Sequence, residues 1–124
     1  VTYEPANHSL VFMIRGLNYS WKQSISYYLI SKSCSSRELN DIIFSTIRRL
    51  RNINITVKAF ITDQGSNCIQ FPNNNNVSPI EPYFEVDEEK IVYIFDPPHL
   101  LKSTRNMFFK YNFKINDELV EKNI

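Results

Sequence analysis

Apolar residues recur along the chain at two spacings, every second position in some stretches and every third or fourth in others. His8 to Leu17 is apolar and β-rich, and Gly16 marks its end. Asn18-Tyr19-Ser20 reads as a turn. Trp21 to Ile30 predicts a second strand, with Ile25, Tyr27 and Leu29 alternating against Ser24, Ser26 and Tyr28. After a polar loop from Ser31 to Ser36, the period becomes helical. Ser35 and Glu38 have the spacing of a capping box, and Leu39, Ile42, Ile43, Ile47 and Leu50 fall on one face. Arg48, Arg49 and Arg51 crowd the last turn and read as a solvated helix end rather than a DNA contact.

Alternation resumes from Asn54 to Thr62 through Ile55, Val57, Ala59 and Ile61, and predicts a buried strand. Asp63 then opens a short turn or helix. Residues 72–88 read as a loop, rich in Asn and Pro from Pro72 to Pro82. Lys90 to Phe95 predicts the next strand. Asp96 suits a helix N-cap, Pro97 the first helical position, and Leu100, Leu101, Met107, Phe108 and Tyr111 an inward helix face. Residues 112–124 read as the start of a following segment, helical or loop-like from Asp117 onward.

At 124 residues and 43% apolar content, the chain holds one core and is not disordered. A net charge of +1 gives no overall basic field, so any DNA contact must rest on local clustering. Cys34 and Cys68 lack zinc-site spacing and read as reduced thiols. A single disulfide in a secreted domain is the alternative, with Asn7, Asn18, Asn54 and Asn76 in glycosylation sequons. Such sequons arise by chance in so Asn-rich a chain. Neither a signal-peptide pattern nor a long apolar segment accompanies them. The start at Val1-Thr2-Tyr3 has no initiator methionine, and a fragment is expected.

Asp63 is the leading candidate for chemistry. A carboxylate just past the end of a buried strand can reach a metal without being buried itself. From spacing alone a turn cap onto Ser66-Asn67 is its first reading. Asp96 ends the next strand; helix capping is its first reading, and a supporting role beside the metal its second. His99 sits one turn into the helix, and histidine is the side chain that changes charge most readily near neutral pH. Lys102 and Arg105, three apart on the polar face, could both meet one phosphate backbone. Trp21 reads as core.

Four strings carry a resemblance: Leu10-Val11-Phe12-Met13-Ile14-Arg15-Gly16-Leu17, Trp21-Lys22-Gln23, Thr62-Asp63-Gln64-Gly65-Ser66-Asn67 and Phe95-Asp96-Pro97-Pro98-His99-Leu100-Leu101-Lys102. In this order, over residues 9–111, they resemble the RNase H-like catalytic domain of P-element-type transposases, including THAP-domain transposases. The sequence departs from that pattern at Ser24, where proline is usual, and in the short Asn-rich stretch after Asp63.

The resemblance implies an α/β, partial RNase H-like fold, in which a mixed sheet combines an antiparallel hairpin, two parallel strands and flanking helices. It puts residues 9–30 in the same sheet as the strands before Asp63 and Asp96, those two being parallel neighbours. The first strand, central in such a sheet, would lie upstream of Val1. The implied chemistry is metal-dependent DNA strand cleavage and joining, with Asp63 as the second acid of a DDE set and a ligand to Mg²⁺ or Mn²⁺. Asp96 and His99 would support that site, and Lys102 and Arg105 would contact DNA. The implied partners are transposon-end DNA and further copies of the protein, in the nucleus and without a membrane. GTP would be held mostly outside this chain. With one of three acids, the chain alone would be inactive. A different class of function, a DNA-binding or protein-interaction module left from a decayed transposase, stays open.

Overall fold

In the computed structural model the described backbone comprises residues 5–31, 34–63, 66–115 and 118–120. Strands β1 (His8–Arg15) and β2 (Lys22–Ile30) form the expected antiparallel hairpin. Gly16 has no room for a Cβ, which would collide with the Trp21 ring and the Tyr19 carbonyl. Trp21 therefore folds over the turn and stays 44% exposed, not in the core as its size suggested.

A bulge corrects the phase of β2. Phe12 pairs with Ser26 but Met13 pairs with Ser24, so Ile25 is the extra residue. Beyond the bulge, Tyr28 and Ile30 point inward, while Tyr27 and Leu29 are 72% and 69% exposed. A strict period of two cannot register one inserted residue.

Helix α1 (Ser36–Asn52) begins with the capping box. Ser35 Oγ accepts from the Glu38 amide at 3.2 Å, and a Glu38 carboxylate oxygen accepts from the Ser35 amide at 2.9 Å. These bonds satisfy amides that the helix start leaves without partners. The Ser35 hydroxyl, donating to the Glu38 carboxylate at 2.7 Å, and after it the Ser35 amide hold the Glu38 carboxyl below its ordinary range. Leu39, Ile43, Ile47 and Leu50 are buried as expected. Asn54, at φ 62°, turns the chain out of the helix in the left-handed conformation asparagine tolerates.

The apolar face of α1 packs against a three-stranded sheet of order β3-β5-β4, made of β3 (Ala59–Thr62), β4 (Tyr83–Val86) and β5 (Glu89–Phe95). β3 and β5 are parallel neighbours, as expected from the resemblance. Helix α2 (Ser66–Asn74) runs through Pro72, so the expected loop narrows at both ends to residues 75–82. The proline removes one helical amide, and Asn75 anchors the end by donating to the Phe71 carbonyl and Asn40. Aromatic rings fill the centre: Phe71 and Phe84 meet edge-on at 5.0 Å, with Phe44, Phe60 and Tyr93 around them.

β4 lay hidden in the expected loop because its hairpin turn carries no glycine. Asp87 and Glu88 adopt φ 50° and 69°, the positive values that a tight two-residue hairpin turn demands. Arg48 and Arg51 secure the turn through Asp87 at 2.9 and 3.1 Å, and Arg51 also pairs with Glu89 at 3.2 Å. The Arg48 hydrogen bond holds the Asp87 carboxyl below its ordinary range. Its contribution is therefore present above the unfolded carboxyl pKa and is lost as pH falls through the lower folded value. Being exposed, the pair mainly orients the turn. Replacing Glu88 by Gly removes the steric cost of the left-handed conformation and should stabilise the fold by about 0.5–1 kcal/mol, read as a higher midpoint in thermal melts.

Helix α3 (Pro97–Lys110) and a small antiparallel hairpin of β6 (Phe113–Ile115) and β7 (Glu118–Val120) complete the described chain. The strand at β7 replaces the helix or loop expected there. No α3 residue is buried, and Leu100, Leu101, Met107, Phe108 and Tyr111, expected inward, are all exposed. An amphipathic stripe becomes a core face only where another element covers it, and here these residues stay largely exposed. Among the described residues no helix is long and apolar enough to cross a membrane.

The hairpin does not join the ladder of the second sheet, contrary to expectation. A cleft of about 1170 Å³ runs between β1 and residues 56–63, with Leu39, Ile43, Ile47 and Phe71 among the residues that line it. β3 is correspondingly shorter than the alternating run from Asn54: residues 55–58 face the cleft and find few ladder partners.

Candidate functional site

The parallel pairing brings two carboxylates together. Thr62 pairs with Phe95 in the β3–β5 register, so Asp63 and Asp96 follow at adjacent strand ends. The Asp96 amide donates to the Thr62 carbonyl at 2.7 Å, which ties the ends together one residue before Asp63. A 2.6 Å bond between Thr62 Oγ1 and the Tyr93 hydroxyl anchors this end of β3 to the core. Asp63 lies exposed at the rim, placed by a rigid pair of strands.

Asp96 does not cap α3 with its side chain. An N-cap carboxylate accepts from the amides of the second or third helical residue. Here the second is Pro98, which has no N–H, and although the third, His99, keeps its amide, the carboxylate meets that residue's ring: Asp96 Oδ2 lies 2.5 Å from His99 Nδ1. The capping expectation overlooked the second proline. The signal was legible as Asp-Pro-Pro-His, where two fixed φ angles set the carboxylate one turn from the imidazole.

Lys102 and Arg105 are exposed on the same helix, so both can meet solvent or a polyanion. Of the other arginine cluster, Arg48 and Arg51 are engaged by the β4–β5 turn. Cys34 is a free thiol, and partial burial raises its pKa. Cys68 lies outside the described side chains.

The donor chemistry at the rim suits a hard divalent cation, since exposed carboxylate oxygen is what such ions prefer. Among the described residues, no three His, Cys, Asp or Glu side chains converge into a metal cage. Asp63 would thus supply one ligand of a site that needs others.

Residues 2–74 match the family described as TNP-like, RNase H N-terminal domain. Over 98% of its length the chain is 26% identical to the Transposable element P transposase of Drosophila melanogaster, of which it spans 16%. A solved structure, the Drosophila P element transposase strand transfer complex, superposes with a TM-score of 0.78 at 27% identity. That match covers 97% of this chain and 27% of the other.

Proposed function

We propose that this chain, which belongs to the family of TNP-like RNase H N-terminal domains, forms part of the catalytic domain of a DDE-type DNA transposase. The observation that carries the reading is the pairing of β3 with β5, which sets Asp63 at an exposed strand end beside Asp96 in a chain of transposase-like fold. Asp63 is the metal-binding acid. Mg²⁺ or Mn²⁺, when bound, steadies charge on the oxygens exchanged at phosphorus. The chain's own part is to hold that carboxylate at a fixed rim, anchored by the Thr62–Tyr93 bond.

Lys102 and Arg105 on the exposed face of α3 contact the phosphate backbone, and the working protein acts on transposon-end DNA in the nucleus as more than one copy. The cleft between β1 and β3 receives the remaining central strand of an RNase H-like sheet. By itself this chain, with one of the acids, is inactive.

The test is strand cleavage by the full protein carrying this segment, on DNA bearing its transposon ends. Cleavage is expected with Mg²⁺ and should vanish on chelation. DNA binding without cleavage under any divalent cation would overturn the catalytic reading. It would favour a binding module instead, for which the exposed Leu101 and Phe109 of α3, at 72% and 69%, provide a surface.

A further inference from the structure

We propose that the β1–β2 hairpin is a contact surface for unpaired DNA, on which Tyr19, Trp21 and Tyr27 stack against bases while Arg15 and Lys22 hold the phosphates between them. This rests on the reading that the protein acts on DNA, though not on Asp63 or a bound metal.

Charge is divided unevenly along the chain. From Pro5 to Arg37 there is no Asp or Glu, whereas Glu81 to Glu89 holds five acids. The near-neutral total therefore hides a hairpin whose full charges are all positive. Arg15 and Lys22 are exposed and lie directly opposite each other in the ladder, so they share one face. Among the described residues neither meets a carboxylate. Like charges facing each other across a sheet weaken it, so folding alone gives no reason for the pair. A polyanion drawn to both cations does.

Exposed rings flank these cations on both sides. Tyr27 stands opposite Val11, which is four residues, or roughly 13 Å, along β1 from Arg15. On the other side the turn presents Tyr19, 79% exposed, and Trp21. The indole edge of Trp21 seats on Gly16, where a Cβ would come within 2.3 Å of its Nε1. The Gly16 amide donates to the Trp21 carbonyl at 3.0 Å, and the Trp21 amide to the Tyr19 carbonyl at 2.9 Å, so the turn is held before any ligand arrives. Rings with cations between them are the chemistry of a single-strand track, because every base has a face to stack and a phosphate beside it. Duplex DNA keeps those faces against its own neighbouring bases, so stacking selects unpaired ones.

Two measurements on the full protein, both made with a metal chelator present, test this. Irradiating the protein with a short oligothymidylate carrying 5-iodouracil joins a stacked base to the ring beneath it, and peptide mass spectrometry places the link. Links are expected on Tyr19, Trp21 or Tyr27, and links found only outside residues 15–29 would overturn the proposal. In anisotropy titrations with the same oligonucleotide, Trp21→Leu should weaken binding roughly tenfold, and Trp21→Tyr, which keeps a ring, should recover most of the loss. Arg15→Gln combined with Lys22→Gln should lower the slope of log affinity against log salt by about 1.4. Wild-type affinity in Trp21→Leu would reduce the surface to a charged patch and remove the stacking role. A duplex of the same sequence should bind Trp21→Leu as well as wild type; an equal loss for duplex and single strand would refute the selection of unpaired bases. Cleavage is not needed for either measurement, so a protein that fails to cut DNA yet forms these links loses the proposed catalysis and keeps this surface.

Discussion

Asp63→Asn is expected to reduce strand cleavage by the full protein at least roughly a thousandfold, about 4 kcal/mol of barrier, while DNA affinity stays nearly unchanged. The amide keeps the size of the carboxylate and one acceptor oxygen, but it loses the negative charge that holds a divalent cation. Asp63 is exposed, so the substitution opens no cavity. Its thermal midpoint should move by no more than a surface change allows, about 0.5 kcal/mol. Gel assays of cleavage, a binding isotherm and a melt together separate loss of chemistry from loss of fold. Cleavage at the wild-type rate would remove Asp63 from the active site.

The second large effect concerns stability. A strand of alternating apolar residues, fused upstream to reach the cleft, should raise the melting temperature of this chain by on the order of 10–20 °C. β1 pairs with β2 on one side and β3 pairs with β5 on one side, so each offers its other edge to the cleft. A strand between them would add hydrogen bonds of about 1 kcal/mol net each and place apolar side chains over Ile43 and Ile47. Even a net gain of about 3 kcal/mol is a large share of a domain's stability of roughly 5–15 kcal/mol. Without that strand the exposed edges should promote association, seen as a shifted size-exclusion profile. A monomeric chain that melts cooperatively at the same temperature with and without the added strand would show that the two sheets need no partner between them.

The local elements were legible wherever a short-range rule acts alone. Ser35 and Glu38 announced the start of α1, and its buried face followed from the spacing of Leu39, Ile43, Ile47 and Leu50. Asp63 could be assigned to a strand end because the alternation stops there. The family resemblance supplied the parallel pairing that residues 59–62 make with 92–95, which no local pattern contains.

What the sequence determined by itself is therefore the set of elements whose hydrogen bonds and apolar faces close within a few residues, together with the place of Asp63 at a strand end. The tertiary structure decided everything that depends on what lies opposite. One inserted residue at Ile25 reversed the facing of Tyr27 and Leu29, and two arginines from α1 settled a turn with no glycine. The apolar stripe of α3 remained exposed because no element covers it well enough to bury any of its residues. Asp96 turned from cap to histidine partner: Pro98 removes one of the two amides it could have accepted from, and its carboxylate meets the His99 ring instead. A side chain's chemistry is written in the sequence, but its partner is chosen by geometry, because hydrogen bonds and buried contacts act only across a few ångströms.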